Sequence, residues 1–200
     1  MIIFGDKNSG NCYKIQLLTA LLEIRYDWKD VNILAGDTQR VDFISMNPNG
    51  KIPVLLLDDG RVISESNAIL FFLAKDSAFL PEDHYQLAKV LQWMFFEQYF
   101  HEPYIAVARF ISLYLGLPDE RKAEYESKKQ GGYRALKVME TSLKSQPFLC
   151  GEQFTIADIS LFAYTHVCHE GGFSLENYPG IRNWINRIEK LDKFIPMAKR

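Results

Sequence analysis

The chain has 200 residues, of which 48% are apolar and 24% charged, with a formal net charge of -2. That balance supports a well-buried core in one or two domains and argues against extended disorder. It carries no basic stripe of the kind that binds nucleic acid. Three cysteines, Cys12, Cys150 and Cys168, are too few and too odd in number for a disulfide framework, and they suit a reducing compartment. The apolar start Met1–Phe4 meets Asp6 and Lys7 too soon for a signal peptide, and the apolar run 68–74 is too short to span a bilayer. A cytoplasmic protein without membrane or nucleic-acid partners is expected.

Taken in order, Ile2 to Phe4 reads as a short strand and residues 5–10 as a polar, glycine-containing loop. Ile15, Leu18 and Leu22 recur at helical spacing, which predicts an amphipathic helix over 11–23. Residues 26–31, rich in aromatic and β-branched side chains, predict a strand. The break Asn47-Pro48-Asn49-Gly50 precedes an apolar strand at 52–57, and Asp59-Gly60 turns it into another at 61–63. Ser64-Glu65-Ser66 opens a helix over 67–75. This βαβ then ββα order predicts a four-stranded mixed sheet with helices packed on it.

After a linker at Phe79-Leu80-Pro81 the pattern becomes helical throughout. Asp83 can cap a long helix over 84–115, followed by helices at 119–145, 156–170 and 180–191. Gly116-Leu117-Pro118, Pro147 and Gly171-Gly172 separate them. The predicted domains are therefore 1–76 and 84–200.

Four short motifs carry chemistry. In Asn8-Ser9-Gly10-Asn11-Cys12 a hydroxyl stands at a helix start, where unpaired N–H groups favour negative charge. The Ser9 hydroxyl can hydrogen-bond a nearby thiolate there, or Ser9 or Asn11 simply caps the helix. In Lys51-Ile52-Pro53-Val54 a proline opens a strand, and a cis Ile52–Pro53 bond would turn the Ile52 backbone towards a ligand; an ordinary edge-strand proline is the alternative. Glu65-Ser66 places a carboxylate beside a hydroxyl at a helix start, which suits an amino-acid head group or, again, a plain cap. Thr155-Ile156-Ala157-Asp158 is an acidic capping box and reads as structural.

Three further groups compete for attention. Cys12 can act as a nucleophile, but its spacing to Ile15 points it inward, where thiols are inert. His166, Cys168 and His169 lack the further ligands that zinc needs, so no metal is expected. Phe95, Phe96, Tyr99, Phe100, Tyr104 and Phe110 crowd the first long helix and read mostly as core. The polar-tipped Tyr99, His101, Tyr104 and Arg109 are expected to line a pocket between the domains.

In this order, with this change from α/β to helix, the four motifs resemble the cytosolic glutathione transferase superfamily along essentially the whole chain. The resemblance implies a thioredoxin-like first domain, an all-helical second domain and a homodimer. It implies glutathione as cosubstrate, with the thiol conjugated to a largely apolar electrophile. Ser9 matches the hydroxyl of the serine-type enzymes, as in bacterial-like members, while cysteine-type enzymes hold their nucleophile at this same place. Pro53 matches the cis-proline, Glu65 and Ser66 the pair gripping the γ-glutamyl head, and Lys51 a residue near the glycine carboxylate. No tyrosine lies in the first strand or its loop, so Ser9, Asn11 and Cys12 are the candidates for activating the thiol. The same fold hosts glutathione-dependent disulfide reductases and non-catalytic binding modules.

Overall fold

The computed structural model describes residues 1–198, which divide into two compact units. The first is Met1–Ser77 together with the segment from Asp192 onward; the second is Ala78–Leu191. Grouping of the terminal segment with the first unit differs from the domain range read from the sequence. Its physical basis is local: Tyr13 of the first unit donates its hydroxyl to the Ile195 carbonyl at 2.7 Å, and Lys193 pairs with Glu23.

In the first unit the sheet order is β2-β1-β3-β4. Strand β1 (Ile2–Gly5) runs parallel to β2 (Asp27–Asp30) and antiparallel to β3 (Val54–Leu56), and β3 runs antiparallel to β4 (Val62–Ser64). Helices α1 (Gly10–Leu21), α2 (Val41–Met46) and α3 (Ser66–Leu73) complete it. The sheet is the expected mixed one; β2 and β3 are shorter than the runs 26–31 and 52–57, β1 extends one residue further to Gly5, and β4 is shifted by one residue. Helix α1 is not amphipathic: Cys12, Tyr13, Lys14, Ile15, Gln16, Leu17, Leu18 and Thr19 are all buried, so the helix is covered nearly all round. Helix α2 has no periodic signature in its six residues; Phe43 anchors it beside Val31 and Val54, with Met46 and Ile52 packed around them.

The second unit is helical among the described residues, apart from one isolated bridge between Phe148 and Gly151. Helix α4 (His84–Phe96) is capped by Asp83, which accepts from the Gln86 N–H at 2.9 Å. It continues through a wide π turn at Glu97–His101 into α5 (Glu102–Arg109), and through a second at Phe110–Tyr114. Helices α6 (Lys122–Leu143), α7 (Ile156–Thr165) and α8 (Pro179–Ile188) follow. Gly131 and Gly132 let rings lie directly on α6: a Cβ there would stand 2.2 Å from Tyr104 and 2.3 Å from Phe173.

The Thr155–Asp158 capping box forms as read, and Asp158 does more than cap. Fully buried, it accepts from the Leu149 N–H and Trp184 Nε1 on one oxygen and from the Thr155 N–H and hydroxyl on the other. Burial pushes its carboxyl up to about 6, against the pull of those hydrogen bonds.

Candidate functional site

Ladder register explains why the first three motifs meet. Val54 is paired with both Phe4 and Ser64, so the next position along each strand sets Pro53 beside Gly5 and Glu65. The β1–α1 loop, the Pro53 turn and the start of α3 thus share one end of the sheet.

Ser9 is the N-cap of α1 by position, with extended backbone, and its carbonyl accepts the first helical bond from the Tyr13 N–H at 2.8 Å. Its side chain makes no cap hydrogen bond. The simple capping role is therefore not what the hydroxyl performs; it is half-buried and hydrogen-bonds to the Cys12 thiol. Cys12 itself is fully buried, and a Cβ on Gly5 would stand 2.6 Å from its sulfur. Burial pushes the Cys12 thiol up to about 12, so the protonated form dominates at neutral pH. The sulfur faces the sheet rather than solvent.

At the second motif the Ile52–Pro53 bond is cis. Gly50 has φ +60, a left-handed conformation that favours glycine, and the buried Asn47 donates its Nδ2 to the Lys51 carbonyl at 2.8 Å. The Lys51 side chain is exposed.

At the third motif Glu65 is the N-cap of α3, with φ 67 and ψ 113 and no side-chain cap bond. A positive φ on a side-chain-bearing residue is sparsely populated, and such outliers concentrate at ligand sites. Glu65 is exposed, whereas Ser66 is buried. The Ser66 hydroxyl donates to Asn11 Oδ1 at 3.2 Å, joining the starts of α1 and α3. Behind it lies a group the sequence reading missed: Lys14, fully buried, whose Nζ donates to Ser66 Oγ at 3.2 Å and Asn67 Oδ1 at 3.4 Å. The signal was its spacing, three residues from Asn11 and four from Leu18, on a face read as apolar.

The helical unit departs further from expectation. Phe95 and Tyr99 are 68% and 74% exposed, and Phe100 is exposed too, so the aromatic cluster is not mainly core. His101 is fully buried and bonds the Thr165 hydroxyl at 2.9 Å, while Arg109 is buried and paired with Glu170. Both are interior ties within this unit rather than groups on an open surface. Tyr104, in contrast, lines a groove of about 580 Å³ with Phe96, Phe100, Gln130, Arg134 and Val138; Tyr99 is outside that lining. His166 bonds its own helix at the Phe162 carbonyl and stacks on the Phe162 ring, and burial lowers it to about 4. Among the described residues no cluster of three or more candidate ligands could hold a metal ion. Nor is any helix there long and apolar enough to cross a membrane.

The family model for the glutathione S-transferase N-terminal domain matches residues 8–76, and that for the C-terminal domain matches residues 87–192. A crystal structure of glutathione S-transferase from Pseudomonas fluorescens is similar at 56% identity and TM-score 0.97, covering 99% of this chain and 98% of the other. One from Xanthobacter autotrophicus is similar at 39% identity and TM-score 0.94, covering 98% and 96%. The disulfide-bond oxidoreductase YfcG of Escherichia coli is 29% identical over 185 residues, or 89% of this chain and 85% of that protein. The chain belongs to the glutathione S-transferase family.

Proposed function

We propose that the protein is a glutathione transferase of the serine type, joining the glutathione sulfur to a largely apolar electrophile. The observation that carries the reading is the convergence of Ser9, the Ile52–Pro53 turn and Glu65-Ser66 at one sheet end, with the Ser9 hydroxyl making no cap bond. Glutathione's γ-glutamyl head carries both charges of an amino acid. Glu65 suits its ammonium, and the Ser66 hydroxyl with the first N–H groups of α3 suits its carboxylate. The Ile52 backbone suits the cysteinyl part, and Lys51 the glycine carboxylate.

The thiol would then lie at the start of α1. Ser9 and the unpaired N–H groups of the first turn stabilise its charged form, and the proton leaves to solvent. The thiolate forms a carbon–sulfur bond, and the leaving group departs with the electron pair of the bond that breaks. Asn11, held by Ser66, is a second donor near the sulfur. Cys12 is set aside as nucleophile because its buried thiol stays protonated. Tyr104 and the aromatic groove are offered to the cosubstrate; His101 and Arg109 serve as structural ties.

Similarity to YfcG favours a second reading, glutathione-dependent disulfide reduction. Turnover of a chloronitroaromatic measured beside a small disulfide separates the two. Conjugation with little disulfide turnover supports the first reading, and the reverse supports the second. A homodimer and a cytoplasmic location belong to the same proposal. The exposed Phe95 and Tyr99, outside the groove lining, support the former, and three free cysteines are compatible with the latter. Light scattering that gives only monomer at micromolar concentration would reject the dimer, and recovery of the native protein outside the cytoplasmic fraction would reject the location.

A further inference from the structure

In the groove of the helical unit, Phe96 on α4, Phe100 in the π turn and Tyr104 on α5 meet Gln130 and Arg134 on α6. Arg134 is the one charged side chain in that lining. Elsewhere in the unit Arg109 holds Glu170 and Arg121 holds Glu124. Arg134 has no ion pair, hydrogen bond or ring contact among the described residues. Its own helix cannot supply a carboxylate, because Gln130, Gly131, Lys137 and Val138 occupy the positions three and four residues away. The rings are set before any ligand arrives. Phe96 packs edge-on against the buried Trp93 with centroids 5.3 Å apart, and Phe100 lies 5.9 Å from Phe96. The Tyr104 ring rests on Gly131, where a Cβ would leave it no room.

We propose that this groove selects an electrophile with a flat aromatic body and a carboxylate, the rings receiving the body and Arg134 the carboxylate. The inference rests on the conjugation reading and deepens it by naming the cosubstrate class and the residue that sets it. Apolar walls around a single sign of charge concentrate its field and draw in the opposite sign. The guanidinium is a planar fork that fits both oxygens of a carboxylate. A neutral amide of the same shape covers the rings equally but gains little from the charge. Gln130 and the Tyr104 hydroxyl, without hydrogen-bond partners among the described residues, add neutral donors for other oxygens of such a molecule.

The test compares a chloronitrobenzoate with the matching chloronitrobenzamide, beside an uncharged chlorodinitrobenzene, for the wild type, Arg134→Gln and Arg134→Lys. In each reaction the glutathione thiolate forms the carbon–sulfur bond, and chloride leaves with the electron pair of the carbon–chlorine bond. Dividing each rate by that of the uncatalysed reaction with glutathione removes the difference in intrinsic reactivity. Arg134 is exposed, so neither substitution disturbs the core. The wild type should favour the benzoate about fivefold to tenfold in normalised kcat/KM, between the worth of an exposed ion pair and that of a charged hydrogen bond. The preference should lie in KM, and added salt should shrink it. Arg134→Gln should abolish it, and Arg134→Lys should keep part of it. Equal efficiencies in the wild type, no benzoate turnover beside turnover of the chlorodinitrobenzene, or a preference that survives in Arg134→Gln overturns the inference while conjugation stands. An Arg134→Gln protein that turns monomeric by light scattering and loses both substrates alike assigns the groove to a second copy of the chain, which also overturns it. A wild type that conjugates none of the three overturns the conjugation reading, and the inference with it.

Discussion

Replacing Asp158 with alanine should unfold the helical unit more easily, and by an amount that depends on pH. The side chain meets three buried N–H donors: Leu149, Thr155 and Trp184 Nε1. Leaving a buried donor without an acceptor costs about 1–3 kcal/mol, so the gross loss is about 3–9 kcal/mol. Part of this is offset, because burial raises the carboxyl from 3.8 to about 6. At 1.36 kcal/mol per unit, removing the ionised group at neutral pH recovers about 3 kcal/mol. The net cost at pH 7 should be about 3 kcal/mol. Because the folded state binds the proton more tightly, its contribution is complete below the unfolded value and is lost as pH rises through about 6. Asp158→Ala should therefore cost up to about 3 kcal/mol more at pH 4 than at pH 7. Asp158→Asn keeps one oxygen for Leu149 and Trp184, so it should cost less than alanine and flatten the pH dependence. Urea melts of the wild type and both variants at pH 4 and 7 read these quantities. A loss below about 1 kcal/mol for alanine, or a cost that grows as pH rises, would refute the reasoning.

Glu65→Ala with Ser66→Ala should weaken glutathione by at least about tenfold in calorimetry, since charged hydrogen bonds contribute about 1.5–3 kcal/mol each; unchanged affinity rejects the head-group assignment. Cys12 should resist alkylation in the native protein at pH 7 and react after denaturation, because burial holds its thiol near 12; rapid native labelling mapped to Cys12 by mass spectrometry contradicts its placement. Gly131→Ala puts a methyl group 2.2 Å from the Tyr104 ring and should push that ring into the groove. Its effect should fall on KM for the electrophile rather than KM for glutathione, and an unaltered electrophile KM removes the groove from the cosubstrate site.

Much of this was legible in the chain because the signals were local. Asp83 and the Thr155–Asp158 box announce helix starts that the structure contains, and Asn47-Pro48-Asn49-Gly50 marks the break before β3. What escaped depends on tertiary burial. Lys14 looks like a solvated side chain until α3 covers it, and α1 looks one-sided until it is enclosed. His101 and Arg109 look like pocket residues, yet Thr165 and Glu170, both over 60 residues away, draw them inward. The aromatic run reads as core because composition does not report exposure, and Phe95 and Tyr99 face outward. Helix α2 is too short for periodicity to reveal.

The central claim is that Ser9 lowers the pKa of bound glutathione, and titrating that thiol in the wild type and Ser9→Ala tests it most directly. A free thiol near 8.5 is only a few per cent ionised at neutral pH. A hydroxyl donor with the α1 N-terminus should lower it by about two units, or about 2.7 kcal/mol, making thiolate the major species. Ser9→Ala keeps the helix end, so glutathione should still bind while the thiol's pKa rises and the rate deficit shrinks as pH increases. An unchanged thiol pKa with full activity near neutral pH, together with loss of activity in Asn11→Ala or Cys12→Ala, would contradict the account and move the activating role to that neighbour.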